Sequence, residues 1–250
     1  MNEWVNVQLG AGEWVMLALC AVIVGMAKTG VAGIYTLVVP VLALIFGGRV
    51  STGVLLPILI LSDIFAVVYY HRAAAWSHIL RLLPWAIGGI VLATWVGSRI
   101  SDTQFKIMMG ALVLLGITIM LVQEFRNKPD IPTHPLFGIA TGLLGGFATM
   151  AGNAAGPVMA VYLLAMRLPK NTYIGTGAWF FMIINLSKVP FHVFVWHTIT
   201  WETLRLDLLM LPAIALGAWA GIQIVRRLPE RFYRRFVLVA TTLSAVLLFF

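Results

Sequence analysis

The stretch GMAKTGVAG, residues Gly25–Gly33, places three glycines and a lysine inside a long apolar segment. A second stretch, GGFATMAGNAAGP (Gly145–Pro157), falls in a similar setting about half a chain later. Each glycine in a helix interior is destabilising by about 1 kcal/mol, so a cluster of them marks a helix end or a close approach of backbones. These two stretches, called here the first break and the second break, are therefore predicted to interrupt the helices of the fold.

The composition indicates an all-α protein that crosses a membrane several times. Of its 250 residues 61% are hydrophobic and 10% charged, with a mean hydropathy of +0.96, which is too little charge for a soluble surface. The apolar runs Ile79–Val96 and Phe105–Val122 are about as long as a bilayer-spanning helix and lack the two-residue alternation of membrane barrels. The net charge of +8 comes mainly from short loops that orient a membrane protein, so no nucleic-acid partner is predicted.

The apolar runs and the residues that interrupt them define ten segments. Their approximate bounds are 13–28, 33–47, 52–70, 78–97, 105–123, 135–150, 156–167, 173–191, 203–225 and 231–250. The second and the seventh are too short to cross about 30 Å of hydrocarbon comfortably as straight helices. We expect each of these two to pair with the segment before it, through the first and the second break respectively.

The second five segments resemble the first five. The block LLPWAIGGIVLATWVGSRISDTQFK (82–106) aligns with LMLPAIALGAWAGIQIVRRLPERFYR (209–234), which pairs Gly89 with Gly217 within an ordered series of matches. This series indicates an internal duplication, and duplicated halves are common in secondary transporters, with the substrate site between them. The predicted organisation is one membrane transport domain made of a first half (1–123), a linker loop (124–134) and a second half (135–250).

The symmetry between the halves depends on the geometry of the breaks. If each break is the tip of a re-entrant hairpin, each half crosses the membrane an odd number of times and the repeats are inverted; if each is a broken span, the repeats are parallel. The inverted arrangement gives the stronger bias of basic loop residues to one side, and we favour it. Both arrangements place the cluster RRLPERFYRR (Arg226–Arg235) in the cytoplasm and both termini on the opposite side of the membrane.

Helix N-termini at the two breaks are the predicted anion site. Unpaired N–H groups and a partial positive charge attract anions there, at Gly33/Ile34 and at Gly156/Pro157. Lys28 adds a full charge, whose cost of about 2.5–3.5 kcal/mol at mid-membrane implies a function unless the side chain snorkels to the interface. The residues of the breaks predicted to bind substrate are Lys28, Thr29, Gly30, Gly33, Gly152, Asn153 and Gly156.

The third segment of each half carries polar residues at corresponding positions. Ser62 and Asp63 align with Ser187 and Lys188, so the two halves carry opposite charges there. One hypothesis is an Asp63–Lys188 ion pair, which would lower the cost of burying both; the other is an anion bound at Lys188 and a proton taken up by Asp63. Asn185 and Lys188 therefore join the predicted substrate-binding residues, and Asp63, Ser62 and Ser187 are the predicted coupling or ion-pair residues.

Enzyme signatures are absent from the sequence. It contains no H-E-x-x-H, no G-x-S-x-G and no P-loop, and its five histidines are not spaced as metal ligands. His71, His192 and His197 lie near segment ends, where we expect solvated side chains. No catalytic residue, metal or cofactor is predicted.

Three stretches of the chain are shared with a known transporter family. VVPVLALIFG after the first break, YYHRAAAW at the end of the third segment, and the block LLPWAIGGIVLATWVGSRI resemble the TauE/SafE family of sulfite and organosulfonate exporters. The similarity extends over nearly the whole chain, and it implies an inner-membrane carrier for small sulfur-containing or carboxylated anions. The second break reads GNAAGP rather than a run of glycines, so we expect Asn153 to tune the choice of substrate.

The leading hypothesis is an alternating-access anion transporter in which the two breaks meet near the midplane. Its expected partners are a small anion and the lipid bilayer, with a homodimer as one expected assembly. The alternatives are an anion channel, an importer or symporter of a small organic anion, and a membrane-embedded scaffold or enzyme subunit. The intramembrane lysines argue against the last of these.

Overall fold

The computed structural model describes residues 9–31, 34–125, 134–229 and 232–233, and within these ranges the regular structure is entirely helical. The ten α-helices of these ranges are α1 (Ala11–Lys28), α2 (Val38–Phe46), α3 (Gly48–Tyr70), α4 (Trp76–Gly97), α5 (Asp102–Phe125), α6 (Pro135–Gly152), α7 (Gly156–Ala165), α8 (Lys170–Phe194), α9 (Trp201–Leu209) and α10 (Leu211–Arg227). Two 3₁₀ turns accompany them, Ile34–Leu37 before α2 and His71–Ala73 after α3.

Most of the predicted segments match a helix to within a few residues, but the ninth does not. It was expected as one helix over 203–225, whereas α9 and α10 are bent by 48° at the break between them. Pro212 lies in the first turn of α10, where its missing N–H is not needed, so it suits the start of a new helix. The tenth predicted segment, apart from 232–233, lies outside the described residues.

The first break also differs from its predicted form. The chain after it enters the 3₁₀ turn Ile34–Leu37, and the α-helix starts only at Val38. The predicted helix start at Gly33 lies outside the described residues. At the second break the helix α7 begins at Gly156 with Pro157 in its first turn, as predicted.

Five helices within the described ranges are long and apolar enough to cross a membrane, and the bent pair α9–α10 would make a sixth span. They are α1, α3 with its following 3₁₀ turn, α4, α6 and α8. The shorter α7 is apolar but has only ten residues. These lengths confirm a multi-pass helical membrane protein.

Two helix pairs approach each other closely through glycines. In the α1–α10 pair, a Cβ placed on Gly217 would overlap the backbone of Val22; in the α4–α6 pair, a Cβ on Gly146 would overlap the backbone of Ala86. Small residues of this kind allow backbones to approach in lipid, where dispersion contacts rather than the hydrophobic effect hold helices together. Gly89 of α4 likewise lies against the backbone of Leu143 in α6.

The long helices α3 and α8 pack against each other. α1 and α10 also contact α3, and α4 and α7 contact α8. The C-terminal ends of α1 and α6 reach this α3–α8 pair at the two breaks. The fold therefore places both breaks beside the polar residues of α3 and α8.

Candidate functional site

A buried ion pair joins the first break to α3. The Nζ of Lys28, the last residue of α1, lies 2.9 Å from Oδ1 of Asp63, and their side chains are 8% and 0% exposed. The other carboxylate oxygen of Asp63 accepts a hydrogen bond of 2.6 Å from the amide of Asn185 in α8. Lys28 also lies over the ring of Phe181, 4.2 Å from its centroid. Its side chain thus points inward and does not snorkel to the interface.

A second buried lysine joins the second break to α8. The Nζ of Lys188 donates to Oδ1 of Asn153 at 2.6 Å, and to Oγ1 and the carbonyl oxygen of Thr149 at 3.0 and 3.2 Å. These acceptors match the three donors of an ammonium group, yet all are neutral. Within the described ranges no carboxylate oxygen lies within 4.0 Å of this nitrogen. Lys188 therefore holds a buried positive charge without a direct counter-charge.

The predicted Asp63–Lys188 ion pair is wrong, because Asp63 pairs with Lys28 instead. The side chain of Lys28 extends from the end of α1 directly to the carboxylate, whereas Lys188 is held by the end of α6. The three groups are nevertheless close enough for their charges to interact. The two lysines and the one carboxylate form a single buried cluster with an excess of positive charge.

Asn153 fixes the end of α6. It has a φ of 53°, in the left-handed region, which asparagine tolerates better than most residues. Its amide nitrogen donates to the carbonyl oxygen of Thr52 in α3 at 3.1 Å, while its amide oxygen accepts from Lys188. The residue therefore connects α6, α3 and α8 at one point.

The 3₁₀ turn that follows the first break contacts the second break. The hydroxyl of Tyr35, in this turn, accepts a hydrogen bond of 2.8 Å from the backbone N–H of Gly156 at the start of α7. This hydroxyl occupies the donor that the helix N-terminus would otherwise present to an anion. An anion that binds to the N–H of Gly156 must therefore displace Tyr35.

A cavity of about 70 Å³ lies beside this contact. That is space for a few water molecules or one small oxyanion. Among the described residues that line it, Lys28 is the only charged one, and the others are apolar or aromatic. The residues that line the cavity include Lys28, Gly30, Tyr35, Gly156, Tyr173, Ala178, Phe181 and Tyr233.

Several predicted site residues do not reach this cavity. The hydroxyl of Thr29 lies 3.0 Å from the carbonyl oxygens of Gly25 and Ala218, so it ties α1 to α10. Gly152 faces the side chain of Met109 in α5. The hydroxyls of the two predicted serines donate to carbonyl oxygens one turn earlier in their own helices, Ser62 to Ile58 and Ser187 to Ile183.

The predicted solvation of the histidines is right for two of the three. His71 and His197 are exposed, but His192 is fully buried, with its Nδ1 2.8 Å from Oγ1 of Thr198. His192 lies one turn after Lys188 on α8, so its ring is covered by the helices that cover the lysine. No three His, Cys, Asp or Glu side chains within the described ranges are close enough to hold a metal ion.

The sequence analysis missed the aromatic residues of the cavity, above all Tyr35, Phe181 and Tyr233. A signal for Phe181 was available, because Phe181, Asn185, Lys188 and His192 follow a spacing of 4, 3 and 4 that places them on one face of a helix. The remaining polar residues of that stretch do not share this face.

Nearly the whole chain matches the model of a known protein family. A family model described as "Sulfite exporter TauE/SafE" matches residues 17–248. The chain belongs to the TauE/SafE sulfite exporter family. TauE/SafE is a family of membrane transporters rather than of enzymes, and membership implies a small anionic substrate and a bilayer environment. No curated protein and no solved structure matched the chain.

Proposed function

We propose that the protein is an alternating-access secondary transporter that exports a small sulfur oxyanion, sulfite or an organosulfonate such as sulfoacetate, across the inner membrane of a bacterium. The observation that carries the proposal is the buried cluster at the two breaks, in which Lys28 pairs with Asp63 while Lys188 is held by neutral oxygens alone. A buried excess positive charge is costly, and an anion bound between the lysines would neutralise it.

We further propose that Asp63 couples transport to protons. Asp63 and a substrate anion compete for the same ammonium group of Lys28. A proton on Asp63 would weaken its hold on Lys28 and free that charge for the anion. Anion and proton would then bind together, and each would favour the state that holds the other.

The duplicated halves remain part of this proposal, in the inverted arrangement and with both termini outside. Its support is that equivalent helices form the two glycine pairs: α1 lies against α10, and α6, its counterpart in the second half, lies against α4, the counterpart of α10. The aligned glycines Gly89 and Gly217 each lie against the backbone of the partner helix. A site between two such halves suits alternating access.

Counterflow in liposomes separates a carrier from a channel. Liposomes that contain the protein and a high internal concentration of unlabelled sulfite should transiently accumulate labelled sulfite above its equilibrium level. A channel cannot do this, so simple equilibration of the label would overturn the carrier proposal. Thermal stabilisation by sulfite, sulfoacetate, taurine, sulfate and carboxylates would rank the substrates, since an anion stabilises the state that it binds.

The coupling proposal has a matched control within the chain. A pH gradient should accelerate uptake by the wild type, and Asp63→Asn should abolish that acceleration. Asp207 of α9 is a second buried carboxyl that forms no ion pair or side-chain hydrogen bond within the described ranges. Asp207→Asn should keep the response to the gradient; loss of the response in Asp207→Asn, and its survival in Asp63→Asn, would contradict the assignment.

A further inference from the structure

A second and larger pocket lies where α3 ends, α8 begins and α10 ends. Its volume is about 490 Å³. The described residues that line it include three side chains with a permanent positive charge and one histidine, and none of these residues is acidic. The basic residues of this pocket, called here the basic pocket, are His71, Arg72, Lys170 and Arg226.

One basic residue of the pocket is held by backbone oxygens, and two others are exposed side chains. Lys170 donates from Nζ to the carbonyl oxygens of Val225 and Leu228 at 3.2 and 2.7 Å, which fixes the start of α8 against the end of α10. Arg72 and Arg226 are exposed, and neither forms an ion pair within the described ranges. A concave surface lined by one sign of charge raises the local concentration of small ions of the opposite sign.

Only one layer of residues separates the basic pocket from the cavity at Lys28. Val225 lines the basic pocket, and its side chain fills the space beside Gly30, where a Cβ would overlap it. Gly30 itself lines the cavity and has a φ of +136°, a conformation that favours glycine. The barrier at this point is thus the backbone of Gly30 against one valine side chain.

Two tyrosine hydroxyls hold this barrier from its two sides. Tyr70 lines the basic pocket, and its hydroxyl donates to the carbonyl oxygen of Thr29 at 3.4 Å. Tyr233 lines the cavity, and its hydroxyl donates to the carbonyl oxygen of Gly30 at 2.9 Å. Both carbonyl groups belong to the non-helical backbone directly after α1, where the helix offers them no internal partner.

We propose that the basic pocket is a second site for small oxyanions and the vestibule of the cavity at Lys28, and that Tyr70 and Tyr233 hold the Thr29–Gly30 backbone as a gate between the two. The inference rests on the proposed function for the class of anion. The same function assigns Arg72 and Arg226 to the cytoplasmic side, from which an exporter takes up its substrate.

A cysteine in the cavity tests the vestibule without requiring transport. In a Cys20→Ala background, Ala178→Cys places a single thiol in the cavity lining. Its rate of reaction is measured with a sulfonate-bearing thiosulfonate reagent and with an ammonium-bearing reagent of similar size. Arg72→Gln combined with Arg226→Gln should slow the anionic reagent about tenfold at low salt and leave the cationic one unslowed.

Arg99→Gln combined with Arg205→Gln is the matched control for that charge change. These two exposed arginines do not line the basic pocket, and the double variant removes the same charge. The control should change the rate of the anionic reagent less than twofold. Equal slowing of the anionic reagent in the two double variants would overturn the vestibule, because the loss of net charge alone would then explain the slower reaction.

The gate is tested by removal of single oxygen atoms. Tyr70→Phe combined with Tyr233→Phe should accelerate modification of the cavity thiol about tenfold with both reagents. Tyr173→Phe is the control, because Tyr173 lines the same cavity and its hydroxyl makes no hydrogen bond within the described residues. A rate no higher than that of the control would overturn the gate.

These outcomes separate the inference from the proposed function. If the wild type shows no sulfite counterflow but the reagent rates change as expected, the proposed transport function is wrong and the vestibule stands. If counterflow is seen but the reagent rates do not change as expected, only the vestibule is wrong. A change in co-purified anionic phospholipid in the Arg72→Gln, Arg226→Gln variant without a change in reagent rates would assign the basic pocket to a lipid phosphate and overturn the inference.

Discussion

At the first break Lys28 ends α1 and reaches Asp63 of α3, while at the second break Asn153 caps the end of α6 and reaches Lys188 of α8. In both places the end of a broken helix contacts a polar residue on one of the two central helices. The first contact is an ion pair, and the second joins an ammonium group to neutral oxygens. The first contact contains a carboxylate, which is the proposed proton acceptor, and the second contains none. The following variants test that contrast.

Lys28→Met is expected to destabilise the protein most. It leaves the carboxylate of Asp63 buried without its ammonium partner, and loss of one member of a buried ion pair typically costs about 3–5 kcal/mol. The melting temperature in detergent should fall strongly, and adding Asp63→Asn should recover most of the loss. Lys106→Met, which removes the exposed pair with Asp102, is the control and should cost less than about 1 kcal/mol. Equal losses in the two lysine variants would contradict the buried pair.

Lys188→Gln is expected to separate transport from stability. Glutamine keeps an amide donor for Asn153 and Thr149 but removes the charge that has no direct counter-charge. We expect the free energy of unfolding to change by no more than about 1 kcal/mol. Counterflow of sulfite should fall about a hundredfold, since hydrogen bonds to charged groups contribute up to about 3 kcal/mol. Counterflow at the wild-type rate would remove Lys188 from the substrate site.

Asn153→Asp gives the second break the charge arrangement of the first. The new carboxylate would pair with Lys188 and compete with the substrate, so anion affinity measured by thermal stabilisation should fall about tenfold, or about 1.4 kcal/mol. Asn153→Gly is the control, because glycine keeps the left-handed conformation and brings no charge. A glycine variant that weakens binding as much as the aspartate variant would show that the lost amide, rather than the new charge, is responsible.

Tyr35→Phe tests the contact between the breaks and should have the smallest effect. It leaves the N–H of Gly156 without its hydroxyl partner, which should lower stability by about 1 kcal/mol. A bound oxyanion can use the freed N–H, so stabilisation by saturating sulfite should be larger than in the wild type. Tyr173→Phe should change neither quantity, and a matching response in both variants would argue against an anion at α7.

The helices and the positions of the breaks could be predicted from the sequence, because hydrophobic runs and glycine clusters are local signals. The polar face of α8 was also available from spacing alone, in Phe181, Asn185, Lys188 and His192. The partner of Asp63 was not available. Alignment of the halves favoured Lys188, but the actual partner depends on how far the end of α1 enters the fold, and that is set by its packing against α10. The role of Thr29 was hidden for the same reason, since its hydroxyl reaches Ala218 in a helix nearly two hundred residues away.

The α1–α10 pair has a consequence for how the protein is made. α1 is synthesised well before α10, but the surface that covers Gly25 and Val22 belongs to α10. At typical translation rates of about 5–20 residues per second, α1 waits on the order of ten to forty seconds in the membrane for its partner. When α1 enters the membrane, Lys28 has neither α3 nor α8 beside it. The side chain is therefore more exposed to lipid at this step than in the folded protein, and a membrane insertase that shields it would act at this step.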